Sequence, residues 1–195
     1  MPVTRLLDHG LLGPSSVVAH AVHLSWPELS RVIGTGAWLV HNPRSNMNNQ
    51  VGYAPAGKFG SRAALGTDGL GADMFAEVQL AHFRAREAGL PIEPLHALAN
   101  GHRLASNVFG VELGPLREGA AADLLVLDYH NPTPITPENL EAHLIYGLGA
   151  RYVESVMVDG IWRLWARRPL SVNQDVVTEQ SRMTARELWS RMAAL

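Results

Sequence analysis

Through the first 110 residues, short apolar runs alternate with polar or helix-patterned stretches. Val17-Val18-Ala19, Ala37-Trp38-Leu39-Val40 and Ala63-Ala64-Leu65 are apolar throughout, as strands covered on both faces are. Between them the hydrophobic period lengthens. Residues 1–13 read as the end of a helix, stopped by Gly10 and Gly13. Ser25-Trp26-Pro27-Glu28 opens a second helix. Ser25 is a cap, Pro27 lies in the first turn, and Glu28 stands three residues after the cap. That helix runs to about Ile33 and stops at Gly34 and Gly36. Asp73 caps a helix over Met74–Ala88, with Phe75, Val78, Ala81 and Ala85 on its buried face and Gly89 at its end. Pro94 starts another, which carries Leu95, Leu98, Leu104 and Ala105 to Gly110. Strands alternating with helices predict an α/β fold with a parallel sheet.

Each apolar run leads into a side chain able to do chemistry: His20, His41 and Asp68. Parallel strands bring such residues to one rim, where α/β barrels place their active sites. The sharpest stretch is Leu65-Gly66-Thr67-Asp68-Gly69-Leu70-Gly71-Ala72-Asp73. Its glycines allow a tight turn and leave space beside the acid. Asp68 is a candidate metal ligand or general base, or else it caps the turn with its own side chain. After His41, Pro43 disfavours helical geometry at Asn42, which ends the strand and predicts a polar loop. Asn46, Asn48, Asn49 and Gln50 in that loop either face water or grip a polar ligand.

Beyond Gly110 the pattern changes. Residues 114–119 are turn-forming, residues 122–128 form a strand, and residues 131–137 contain three prolines. A short helix follows over residues 139–147. Asp159-Gly160, between Val156-Met157-Val158 and Ile161-Trp162-Arg163-Leu164, marks a hairpin. Thr178 or Ser181 caps a last helix that reaches about Ala194. These features predict two parts: residues 1–113, carrying the site residues, and residues 114–195, a small β lobe with a terminal helix.

Composition narrows the classes. The 195 residues are 47% hydrophobic and 17% charged, with a net charge of −2, as in ordinary globular proteins. Lys and Arg form no block, which argues against nucleic acid as partner. There is no cysteine, hence no thiolate nucleophile or cysteine-type zinc site. No apolar run reaches the ~18 residues of a membrane span, and Met1-Pro-Val-Thr-Arg-Leu-Leu-Asp lacks a signal-peptide pattern. The expected location is the cytoplasm. A Rossmann-type binder is excluded for want of a Gly-x-Gly-x-x-Gly turn.

Together, Ala19-His20-Ala21-Val22-His23-Leu24, His41-Asn42-Pro43-Arg44-Ser45-Asn46-Met47 and Gly66-Thr67-Asp68-Gly69 resemble the amidohydrolase superfamily. The likeness is to its aminohydrolase and chlorohydrolase branch, nearest to the SsnA-like aminohydrolases. Asn46-Met47-Asn48-Asn49, Val51-Gly52-Tyr53-Ala54-Pro55, Ala72-Asp73-Met74-Phe75, Gly119-Ala120-Ala121-Ala122-Asp123-Leu124, His143-Leu144-Ile145-Tyr146-Gly147 and Val158-Asp159-Gly160 fit the same branch. The resemblance covers nearly the whole chain. It implies the C-terminal part of a (β/α)8 TIM barrel, strands six to eight with their helices, plus a small β-sandwich lobe. His20 falls at the family's sixth-strand histidine and Asp68 at its eighth-strand aspartate. The family's first-strand His-x-His pair and fifth-strand histidine have no counterpart here, and residues 55–65 are shorter than usual. Three strands do not close a barrel.

The resemblance also implies the chemistry: hydrolysis of a carbon–nitrogen bond in a heterocyclic or amidine-like substrate, by water activated on a divalent metal, zinc or alternatively iron. Asp68 binds that metal and takes the proton. His20 stabilises the developing charge. The resemblance places His20, His41 and Asn46 against the substrate, although for His41, which precedes Asn-Pro, the residues themselves favour a structural role. One carboxylate does not complete a zinc site. The expected partners are therefore a small-molecule substrate, the preceding half of the barrel and, in the complete protein, further copies of itself. A membrane is not among them. The rival reading is a truncated, non-catalytic fragment or assembly module.

Overall fold

The computed structural model describes residues 2–195 and divides into two compact units. The first comprises residues up to Ala120 together with Tyr129–Tyr152, and the second comprises Ala121–Asp128 with Val153–Leu195. The division therefore does not fall at a single boundary near residue 114: residues 129–152 join the first unit.

In the first unit, α1 (Pro2–Asp8), β1 (Val17–Ala19), α2 (Trp26–Gly34), β2 (Trp38–His41), α3 (Pro43–Asn48) and β3 (Ala63–Leu65) follow in order. Next come α4 (Met74–Glu87) and α5 (Pro94–Phe109). The strands form a parallel sheet in the order β1-β2-β3, with Ala19 opposite Val40 and His41 opposite Leu65. Their three C-terminal ends thus share one edge. Leu39 and Phe59 pack with Leu29 and Val32 of α2 in the main core. On β1 the alternate side chain Val17 is half exposed.

The helix ends follow the expected chemistry. Glu28 accepts from the Ser25 amide at 3.1 Å and the Ser25 hydroxyl at 2.7 Å, opening α2. Asp73 accepts from the Ala76 amide at 3.0 Å, opening α4. Gly89, at φ 66°, closes α4, and Leu90 N–H returns to Ala85 C=O at 2.9 Å. Between β2 and β3 the structure departs from the sequence reading. Residues 43–48 are helical, with Pro43 in the first turn. Proline needs no amide partner there and its φ suits a helix. Two short 3-10 turns, Ala56–Lys58 and Gly60–Arg62, occupy the shortened stretch before β3.

β4 (Leu124–Leu127) belongs to the second unit, and α6 (Leu140–Tyr146) to the first. β5 (Val153–Val158), β6 (Ile161–Trp165), β7 (Arg168–Pro169) and α7 (Gln174–Ala193) complete the second. Its sheet is antiparallel in the order β4-β5-β6-β7. Asp159 and Gly160, at φ 51° and 72°, turn the β5–β6 hairpin as expected. The cap of α7 is Asn173, which accepts from the Asp175 and Val176 amides at 3.0 and 3.2 Å, not Thr178 or Ser181. Asn173 stands a full turn earlier and is itself a strong capping residue. No helix of the described residues is long and apolar enough to cross a membrane.

Candidate functional site

His20 follows the last residue of β1. Its amide still joins the sheet, donating to Val40 C=O at 2.8 Å. There the chain turns away through two left-handed residues, His20 at φ 67° and Ala21 at φ 51°. That turn projects the imidazole beyond the strand ends. Asp68 leaves β3 in the same way. Gly66 N–H donates to His41 C=O at 3.0 Å, and Asp68 lies at φ 52°, a region Asp tolerates better than most residues. A side chain on Gly66 would collide with Asn42 and with Val40. The close approach of these neighbours explains the glycine.

The two turns bring His20 Nε2 to 3.6 Å from Asp68 Oδ2, with both side chains partly open to solvent. On the far side of the ring, Nδ1 lies 2.8 Å from Asn46 Oδ1 and 3.4 Å from Asn42 Nδ2. The shorter contact has an acceptor oxygen, so Nδ1 carries a proton and Nε2 faces Asp68. The Ser45 hydroxyl donates to Asp68 Oδ2 at 2.5 Å and Gly69 N–H to Oδ1 at 2.7 Å. These two bonds, with His20 nearby, hold the Asp68 carboxyl below the usual carboxylate range. A cavity of about 410 Å³ opens here, lined among others by His20, His23, Asn46, Asn49 and Asp68.

His20, Asn46 and Asp68 are therefore together, as their positions in the sequence suggest. His41 is not with them. Side chains alternate along a strand, and His41 takes the Leu39 face, edge-on to Tyr53 and Phe59 at centroid distances of 6.2 and 6.4 Å. It lines a separate space of about 320 Å³ that includes Phe59 and Ala97. The substrate contact expected of His41 is replaced by burial: the residue is 3% exposed and neither ring nitrogen has a hydrogen-bond partner. Burial, with His20 nearby, lowers its pKa from 6.5 to about 4, so the ring is neutral at pH 7.

Sequence reasoning passed over Ser45, Asn42 and the pair beneath them. Arg44 Nε donates to Glu77 Oε1 at 2.6 Å, the Arg44 amide reaches Glu77 Oε2 at 3.3 Å, and Arg44 Nη2 donates to Gly71 C=O. Glu77 is completely buried. This pair ties α3 to α4 and to the loop that carries Asp68. The sequence signal for Ser45 is a hydroxyl one residue before Asn46.

The donor set fits a divalent metal only in part. Asp68 offers one carboxylate, and among the described residues no group of three or more His, Asp or Glu side chains could hold an ion. A zinc site takes three or four protein ligands.

Comparison with known proteins agrees with this picture. A family model described as the amidohydrolase family matches residues 2–163. The chain is 33% identical over 199 residues to a 5-methylthioadenosine/S-adenosylhomocysteine deaminase of Syntrophobacter fumaroxidans, covering 96% of this chain and 45% of that one. A zinc-bound adenosine deaminase from Xanthomonas campestris superposes with a TM-score of 0.77 at 23% identity, over 100% of this chain and 46% of that one. An atrazine chlorohydrolase from Arthrobacter aurescens, complexed with zinc, gives 0.76 at 20% identity, over 94% and 43%. The chain spans less than half the length of these relatives. Its fold is that of the C-terminal portion of their TIM barrels.

Proposed function

The chain belongs to the amidohydrolase family, and on that premise we propose that it carries the His20–Asp68 part of the active site of a metal-dependent aminohydrolase. The reaction is hydrolytic removal of an amino group from a ring carbon. The substrate class is an adenine nucleoside, of the kind for which the Syntrophobacter relative is named. The observation that carries this reading is the pairing of Asp68 with a tautomer-fixed His20 at the mouth of one cavity.

Asp68 is the one ligand this chain would give a divalent ion, zinc by analogy with the zinc-bound structures; the other ligands lie outside the described residues. Such an ion, when bound, makes water acidic enough to be a nucleophile near neutral pH. Asp68, ionised through its bonds to Ser45 and Gly69, accepts the proton of the attacking water on a carboxylate oxygen. As the water oxygen bonds to the ring carbon, Asp68 passes that proton to the amino nitrogen, and the carbon–nitrogen bond breaks to release ammonia. His20 Nε2, oriented by the bond between Nδ1 and Asn46, faces the ring nitrogen or the charge that develops on attack. Asn46, buried and within α3, orients His20 and contributes to the substrate surface. The cavity lining also includes Val22 and Val51, and apolar walls suit a flat heterocycle.

The test is reconstitution. The 195-residue chain alone should bind divalent metal weakly and release no ammonia. Combined with the preceding barrel half of a deaminase relative that supplies the missing histidines, it should gain metal and release ammonia from adenine nucleosides. Asp68→Asn should then lose nearly all turnover, because an amide is a poorer ligand and cannot take the proton. Full activity from the chain alone, or normal turnover by the Asn variant, would refute the assignment.

A further inference from the structure

α7 is the longest helix among the described residues, and none of its side chains is buried. At 3.6 residues per turn, Thr178, Ser181, Ala185, Leu188, Trp189 and Met192 fall along one side of it. Trp189 is 65% exposed, and Leu188 and Met192 are also more than half exposed. Single apolar side chains on a surface are ordinary, but a contiguous exposed stripe marks a contact.

The stripe is uneven along its length. Its first half carries the small side chains of Thr178, Ser181 and Ala185, and its second half the bulky ones of Leu188, Trp189 and Met192. The small residues leave a hollow of about 440 Å³, with Trp189 at its far end. Bulk and hollow therefore share one face of one helix. Two such helices packed in parallel set bulk against bulk and leave the hollows empty. Packed antiparallel, each helix sets its bulky half into the hollow of the other. With Ala185 at the two-fold axis, Trp189 of one protomer lies over Ser181 of its partner, and Met192 lies over Thr178. Large and small residues then alternate across the seam, as close packing requires. A contact of this kind is isologous and closes at two copies. Charge agrees with the same direction. The first turn of α7 carries Asp175 and the last turn Arg191, so antiparallel pairing brings each near the opposite charge and sets the two helix dipoles against each other.

We propose that α7 is a dimerisation element, which pairs antiparallel with α7 of a second copy of this chain so that Trp189 of each protomer fills the hollow at Thr178, Ser181 and Ala185 of its partner. The pairing uses no residue of the His20–Asp68 cavity and does not depend on the reaction proposed there.

The chain has no cysteine, so single introduced cysteines report the arrangement. In the 195-residue chain at micromolar concentration, Ala185→Cys should cross-link to itself through a short bismaleimide. Asp175→Cys should not, because antiparallel pairing holds its two copies about 30 Å apart along the helix axis. In the Ala185→Cys chain, Trp189→Ser should abolish the cross-link. Sedimentation equilibrium should show that variant's dimer weakened about 30-fold or more, the scale of truncating a tryptophan at the centre of an interface. Ser181→Trp, which fills the hollow, should do the same. The double exchange of Ser181→Trp with Trp189→Ser moves the bulk to the other side of the axis and should recover both the cross-link and the dimer. None of these positions is buried, so the variants should keep the circular dichroism of the unaltered chain. Absence of the Ala185→Cys cross-link in a monomeric chain overturns the proposal and leaves the face to a different partner. Equal cross-linking of Asp175→Cys overturns it in favour of parallel pairing, and a double exchange no better than either single change overturns the fit of Trp189 into the hollow.

Discussion

Removing Arg44 should cost more than removing Glu77, although both belong to one ion pair. The Glu77 side chain is fully buried, whereas that of Arg44 keeps 19% of its surface in water. Arg44→Met preserves most of the stem and deletes the charge. It leaves the Glu77 carboxylate with only the Arg44 backbone N–H, at 3.3 Å. An orphaned buried charge of this kind costs about 3–5 kcal/mol. Glu77→Leu instead leaves a guanidinium that reaches solvent and keeps its bond to Gly71 C=O, so the expected loss is about 1–2 kcal/mol. The double variant should lie within about 1 kcal/mol of the starting protein, because an apolar pair of similar volume replaces a desolvated ionic one. The assay is urea unfolding followed by tryptophan fluorescence and circular dichroism. With a slope of about 2 kcal/mol/M, Arg44→Met should lower the midpoint by roughly 1.5–2.5 M. Amide exchange should quicken over residues 42–50 and 66–73, the segments the pair ties together. A loss below about 1 kcal/mol for Arg44→Met, or a larger loss for Glu77→Leu, would refute the claim that this pair anchors α3.

His41 has its pKa lowered from 6.5 to about 4 in the folded chain. Between those values the unfolded chain binds the extra proton, so stability is level above about pH 6.5 and falls by up to about 3 kcal/mol as pH drops to 4. His41→Leu should remove that slope and be neutral or stabilising at pH 7, since it deletes two unpartnered buried nitrogens; unfolding curves at several pH values between 4 and 7.5 decide this, and an unchanged slope counts against it. Gly66→Ala should cost about 1–3 kcal/mol by overpacking and displace Asn42 from His20, seen as a change in the His20 ¹⁵N shifts. In the reconstituted enzyme, His20→Ala should retain metal but lose roughly two to three orders of magnitude in rate, measured as ammonia release alongside metal content.

What was legible in the sequence was whatever hydrophobic burial writes into it. Strands buried on both faces are unbroken apolar runs, so β1, β2 and β3 stood out, and their parallel order placed His20 and Asp68 on one edge. Where burial serves polar groups the pattern falls silent. The inward residues of α3 are Ser45 and Asn46, buried to hold Asp68 and His20, so the helix has no apolar period and Pro43 reads as a break, although proline also begins helices. Glu77 sits on the buried face of α4 beside Val78 and Ala81, where binary patterning assigns a charge to water. The placement of His41 turned on a single residue. Strand side chains alternate, and β2 includes His41 as its last residue whereas β1 stops before His20. One histidine is therefore swung onto the rim by a left-handed turn, and the other stays in register and points into the core. A difference of one residue lies within the uncertainty of any strand boundary, so the chemistry at a strand end is decided by the turn that follows it. At His20 and Asp68 that turn is left-handed; at His41 the chain passes instead through Asn42, at φ −116°, into Pro43 and α3.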